Sequence, residues 1–140
     1  DTLDRPSLAQ ALAKAMRKQN RTIPCLIEVN IGDEPQKAGC AVTDIQALLE
    51  LAKTLSIEVE GLMCIPPEGQ DPVPYNLRDA STPEGATGPA YYFKKLTELA
   101  KTYKLRVISM GMSSDYETAI ACGATEVRIG SAIFGARLKS

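Results

Sequence analysis

Helical and extended hydrophobic periodicities alternate four times along this chain, and that alternation constrains its fold more tightly than its composition does. From Pro6 the apolar positions Leu8, Leu12, Ala15 and Met16 recur at helical spacing, with Ser7 and Gln10 placed as a capping box. The β-branched, apolar run 25–31 predicts a buried strand that ends at Gly32-Asp33-Glu34-Pro35. Thr43 and Gln46 then cap a second helix on the stripe Ile45, Leu48, Leu49, Ala52 and Leu55. A strand over 57–65, a helix over 91–103 and a strand over 105–110 follow. Ser114 and Glu117 form a third capping box for a short helix stopped by Gly123, before the strand 126–129 and a last short helix after Ser131. Strands joined by a crossover helix return to the same edge of a sheet and run parallel. The class is α/β, and about four βα units make either a small open sheet or half of a TIM-type (β/α)8 barrel, which typically needs about 250 residues.

The segment 66–89 breaks the rhythm. It holds six of the nine prolines, has no apolar period and exceeds an ordinary strand-to-helix connection. It reads as a long surface-loop insertion at the carboxyl end of a strand, the side where parallel sheets place ligands, so a lid role and a plain insertion are both open. The rest of the 140 residues form one domain.

Composition removes whole classes of function. With no histidine there is no imidazole base, no histidine triad and no Cys/His zinc site. Sixteen Lys plus Arg against seventeen Asp plus Glu leave a net charge of −1, which makes no electrostatic case for nucleic acid or an anionic membrane. The apolar runs fall far short of the roughly 20 residues a bilayer helix needs. Cys25, Cys40, Cys64 and Cys122 are dispersed, without a C-x-x-C pair, and read as core thiols in a reducing cytoplasm. The opening Asp1-Thr-Leu-Asp carries no secretory leader, and a start in mid-sequence is open. A small molecule or a protein is the expected partner.

The chemistry concentrates at two strand ends. Residues 107–115 run from an apolar strand into Gly111, Ser113, Ser114 and Asp115, and residues 127–132 repeat the design with Gly130 and Ser131. Unpaired N–H groups at such strand-to-helix turns, with glycine allowing close approach, suit an anion, and barrel folds commonly hold phosphate on their last two strands. Ser114 reads as the helix cap, which leaves Ser113 to face a ligand; for Ser131, capping and phosphate contact are nearly one geometry. Arg128 sits in an apolar strand and needs a partner: either an ion pair with Glu28 or Glu126, or a ligand's ring nitrogen or anion beyond the strand end. Lys37 reads as a solvated surface charge.

On residues 29–39, 61–66, 109–115 and 127–135 the sequence resembles the pyridoxal 5'-phosphate homeostasis protein family, small single-domain relatives of the alanine racemase barrel. The matching stretches include Val29-Asn-Ile-Gly-Asp-Glu-Pro-Gln-Lys-Ala-Gly39, Ser109-Met-Gly-Met-Ser-Ser-Asp115 and Val127-Arg-Ile-Gly-Ser-Ala-Ile-Phe-Gly135, in the family's order. The resemblance implies a cytoplasmic carrier or buffer of pyridoxal phosphate rather than an enzyme, a monomer or weak dimer that serves apo-forms of enzymes using this cofactor. It implies phosphate contacts from Ser113, Gly130 and Ser131, Arg128 toward the pyridine nitrogen, and Met63 and Ile65 near the ring, and Gly111 is a further expected cofactor-binding position. It also implies that residues 1–140 are the carboxyl-terminal part of one cofactor-binding barrel domain, because the family's Ala-Val-Ser-Lys type stretch, whose lysine holds the aldehyde, has no counterpart among the nine lysines here. An amino-acid racemase fragment and a sugar-phosphate-binding half-barrel are the alternatives.

Overall fold

A computed structural model of the chain describes residues 1–68 and 88–138. It contains β1 (Thr2–Leu3), α1 (Pro6–Lys18), β2 (Cys25–Glu28), a 3-10 turn (Val42–Asp44), α2 (Ile45–Thr54), β3 (Val59–Met63), α3 (Gly88–Thr102), β4 (Val107–Met112), α4 (Tyr116–Ala121), β5 (Glu126–Arg128) and α5 (Ser131–Phe134). The sheet has five strands, one more than the sequence predicts, in the order β1-β2-β3-β4-β5, and every neighbouring pair is parallel.

Register divides the strand residues between two faces. Ile27, Leu62 and Ile108 lie side by side, as do Glu28, Met63 and Ser109 one position on. The first row, with Leu3, Cys25 and Met110, packs against helix residues such as Ala9, Ala13, Ile45, Leu48, Phe93 and Leu96. Alternate residues on a strand face opposite ways, so the second row occupies the other face of the sheet. Sequential parallel order with right-handed crossovers places the helices on a single face. The row Glu28, Met63, Ser109 is therefore on the face away from the helices, and β5 adds Arg128 near its carboxyl end.

The three predicted capping boxes are not used. Helix α1 starts one residue before Ser7, with Pro6 in its first turn, where a missing N–H costs nothing, and Arg5 at the cap without a side-chain bond. Its buried stripe is Ala9, Ala13 and Met16, while Leu8 and Leu12 flank it and Ala15 is exposed. The 3-10 turn leads into α2 past Thr43, and Gln46 donates instead to Glu50 Oε1 at 3.2 Å. Before α4 the cap position is Asp115, not Ser114, and Asp115 Oδ1 accepts from the Met112 N–H at 2.7 Å, closing the turn that leaves β4. Of the predicted loop over 66–89, residues 69–87 lie outside the described residues, and Gly88 and Pro89 belong to α3.

The cysteines behave as core thiols: Cys25, Cys40 and Cys64 are buried and unbridged, and Cys122 is half-buried. Burial pushes the Cys64 thiol up to about 12 and the Cys40 thiol up to about 11, from 9.0. For such a group the unfolded chain loses its proton first, so the native state's advantage is complete below pH 9 and is lost as pH rises toward the native values. Urea midpoints are expected to fall steadily between about pH 9 and 11 in the wild type and less in Cys64→Ser; identical slopes would contradict this assignment.

Candidate functional site

Strands β4 and β5 deliver their carboxyl ends to one place. There the Ser113 hydroxyl oxygen accepts from the Gly130 N–H at 3.2 Å and from the Ala132 N–H at 3.1 Å. A serine oxygen has two lone pairs, so these two bonds leave its own O–H proton as a donor. The result is one hydroxyl donor held in place by backbone groups of a second chain segment. The turn is tightened from within by the Ile133 and Phe134 N–H groups, both donating to Gly130 O.

Arg128 does not form the ion pair with Glu28 or Glu126 that its sequence context allows. Its Nη2 donates to Cys64 O at 2.9 Å and its Nη1 to Ser109 Oγ at 3.4 Å, so the half-buried guanidinium bridges β5, β4 and the residue following β3. Register sets this: Arg128 pairs with Met112, on the face that carries Ser109 and Glu28, and its guanidinium meets the Cys64 carbonyl there. The positive charge is still felt at Glu28. Burial and Asp4 raise that carboxyl above 4.5, and Arg128 partly offsets them.

A cleft of about 680 Å³ opens over these groups, within the range of small-molecule sites. Ser113, Arg128, Gly130 and Ser131 all line it, together with the apolar Met112 and Ile129. Ser114, expected as a cap, lines it too. Ile65 lies in an adjoining recess of about 450 Å³ that shares Met112 and Ser114 with the main cleft. Met63 is half-buried on the helix-free face beside Ser109. Gly111 is elsewhere: it is buried in β4, and a Cβ there would point at Ala119 of α4. Lys37 is not a solvated charge, since it is ion-paired with Glu34 at 2.7 Å and donates to Pro66 O at 3.3 Å.

Sequence reasoning missed four participants: the Ala132 N–H, the Cys64 carbonyl, Ser109 and Arg137. The two backbone groups carry no side-chain signal. Ser109 had one, a hydroxyl inside an otherwise apolar strand, and it is buried with 3% exposure. Arg137, also on the cleft wall, follows Gly135 after the last helix.

The sequence profile of the alanine racemase N-terminal domain family matches residues 2–138. The pyridoxal phosphate homeostasis protein of Aquifex aeolicus is 38% identical over 143 residues, covering 97% of this chain and 57% of its own length. That of Pseudomonas aeruginosa is 39% identical, covering 97% and 54%. The chain thus spans little more than half the length of these relatives. Among solved structures, PipY of Synechococcus elongatus PCC7942 without PLP superposes with a TM-score of 0.71 at 30% identity, over 95% of this chain and 59% of that one. Its PLP-bound form gives 0.69 at 28% identity, over 95% and 58%.

Proposed function

This chain belongs to the alanine racemase N-terminal domain family, and from that premise we propose that it is the carboxyl-terminal half of a (β/α)8 barrel that binds pyridoxal 5'-phosphate (PLP) for cofactor homeostasis in the cytoplasm, without catalysis of its own. The half-barrel reading is supported by the sheet. Its strands are parallel and sequential, its helices lie on one face, and the opposite face carries Glu28, Met63, Ser109 and Arg128, as the lining of a closed barrel would.

The observation that carries the cofactor reading is that Ser113, Gly130, Ser131 and Arg128, from two strand ends, share one cleft. The chemistry of the donor set fits the cofactor. The Gly130 and Ala132 N–H groups converge on one oxygen, that of Ser113, which leaves the Ser113 O–H to donate beside the Ser131 hydroxyl, and a phosphate oxygen taking the place of Ser113 Oγ would meet both N–H groups. Ser113, Gly130 and Ser131 would hold the phosphate, Arg128 would face the pyridine nitrogen, and Met63 and Ile65 would flank the ring. When bound, PLP supplies an electron sink whose strength depends on a protonated pyridine nitrogen. An arginine cannot give up its proton and disfavours a second positive charge beside it, so Arg128 holds that nitrogen neutral and weakens the sink. That pairing would disfavour carbanion chemistry, which suits storage of the cofactor. The relatives named as PLP homeostasis proteins support the same reading, and the apo-forms of PLP-dependent enzymes are the recipients it implies.

The aldehyde end has no lysine on the cleft wall among the described residues. Binding by this chain is therefore expected to be reversible and non-covalent. Incubation with PLP, borohydride reduction and peptide mapping should yield no stoichiometric adduct at a unique lysine, while equilibrium dialysis detects bound PLP. One fully trapped lysine would refute the half-site assignment, and absence of dialysable binding would refute the cofactor reading.

A further inference from the structure

The two arginines on the cleft wall have different surroundings, and the difference separates their tasks. Arg128 is committed inward, with Nη2 on Cys64 O and Nη1 on Ser109 Oγ, toward β3 and away from the Gly130 and Ala132 donors. Arg137 is exposed on the wall that also carries Gly130, Ser131 and Ser113. Gly135 ends α5 at φ +79° and ψ 173°, an extended positive-φ conformation that favours glycine, and two residues on Arg137 lines the cleft. No carboxylate lines this cleft among the described residues, so two formal positive charges gather there in a chain whose net charge is −1.

A phosphate monoester carries about −1.5 to −2 charges near pH 7. Neutral N–H and hydroxyl donors orient such a group but do not balance its charge, and Arg128 is occupied at the ring end. We propose that Arg137 is the counter-charge of the cofactor's phosphate and the residue by which this site prefers a phosphorylated pyridoxal over the free alcohol. This rests on the PLP reading above and adds a phosphate-binding residue to it. A guanidinium also suits the task by shape, since it can present two N–H groups to two phosphate oxygens at once.

The test is titration of the full chain, followed by cofactor absorbance, with PLP and separately with pyridoxal, in the wild type, Arg137→Gln and Arg137→Lys, at low and at moderate ionic strength. Arg137→Gln is expected to bind PLP about tenfold more weakly at low salt, as loss of one charge-assisted contact implies, with pyridoxal affinity unchanged. Arg137→Lys should recover part of the loss, and the salt dependence of PLP binding should be shallower in Arg137→Gln. Because Arg137 is exposed, circular dichroism of the variants should match the wild type. A wild type that prefers PLP, beside an Arg137→Gln that keeps the same PLP-to-pyridoxal ratio, overturns this proposal and leaves the cofactor reading standing. A wild type that binds neither compound overturns both.

Discussion

Replacing Arg128 by methionine is expected to weaken PLP binding about ten- to hundredfold, at low and high salt alike. Methionine approximates the apolar stem of the side chain and removes the guanidinium with every donor. The loss has two parts. The ring nitrogen loses a charge-assisted partner, for which about 1.5–3 kcal/mol is typical. The Cys64 carbonyl loses the donor that holds it at 2.9 Å, which costs about 1–3 kcal/mol of stability if the group stays buried. Half-burial is what makes the binding effect insensitive to salt, in contrast to the exposed Arg137. Glu28 offers an independent readout, because Arg128 is the influence that lowers its pKa against burial and Asp4. In Arg128→Met the Glu28 carboxyl should titrate higher still, as measured by carbon-detected NMR. Arg128→Lys should not restore affinity, because a single ammonium cannot reach both Cys64 O and Ser109 Oγ in the guanidinium's fixed geometry. Affinity in Arg128→Met within a factor of three of wild type would contradict this role.

Arg128 also shows where the sequence is legible and where it is not. That a guanidinium in the strand of Val127 and Ile129 needs a partner follows from desolvation alone. Which partner it finds depends on register, because Arg128 lies opposite Met112 across an irregularity in the β4–β5 pairing that no local pattern encodes. The same division runs through the fold. Alternating helical and extended periods identify α1, α2, α3 and four strands, while the short α4 and α5, which bury one residue and none, are signalled only by the turn residues before them. Strand β1 has only Thr2 and Leu3, too short for any period to appear, and is specified by its pairing with Leu26 and Ile27.

Caps failed for a related reason. At α1 the helix begins at Pro6, which supplies no N–H to cap and puts Ser7 inside the first turn rather than at the cap position. At α4 the helix starts one residue later than the Ser114 box requires, with Asp115 at the cap position and its carboxylate turned back to the Met112 N–H, and Ser114 stands on the cleft wall. Ser113 had been expected to stand free for a ligand; it instead anchors the β5 turn and offers a proton rather than a lone pair. The candidate site was legible because its parts sit on two consecutive strand ends. The inward tether of Arg128 was not, because its acceptors are contributed from residues 64 and 109.

Gly111 in β4 and Gly130 on the cleft wall are expected to respond differently to alanine. Gly111 is in the left-handed region at φ +96°, and a Cβ built there lies 2.6 Å from the Ala119 Cβ and 3.2 Å from the Tyr116 Cα. Alanine would pay both for the backbone conformation, about 1–2 kcal/mol, and for overpacking against α4, about 1–3 kcal/mol. Neither contact lies on a flexible side chain that can swing aside, so Gly111→Ala should lose about 2–5 kcal/mol, a large fraction of the 5–15 kcal/mol typical of a domain. Gly130 has nothing within 4 Å of its missing Cβ and a negative φ of −121°, so alanine there should leave stability within about 0.5 kcal/mol. Gly130 lines the cleft, and a methyl group there should weaken PLP binding about tenfold by keeping the phosphate off the Ser113 hydroxyl and the β5 turn. Urea denaturation and PLP titration on the same two variants separate the effects: a Gly111→Ala chain of wild-type stability would mean that α4 does not press on β4 as described, and a Gly130→Ala chain of wild-type affinity would mean that no anion approaches the β5 turn.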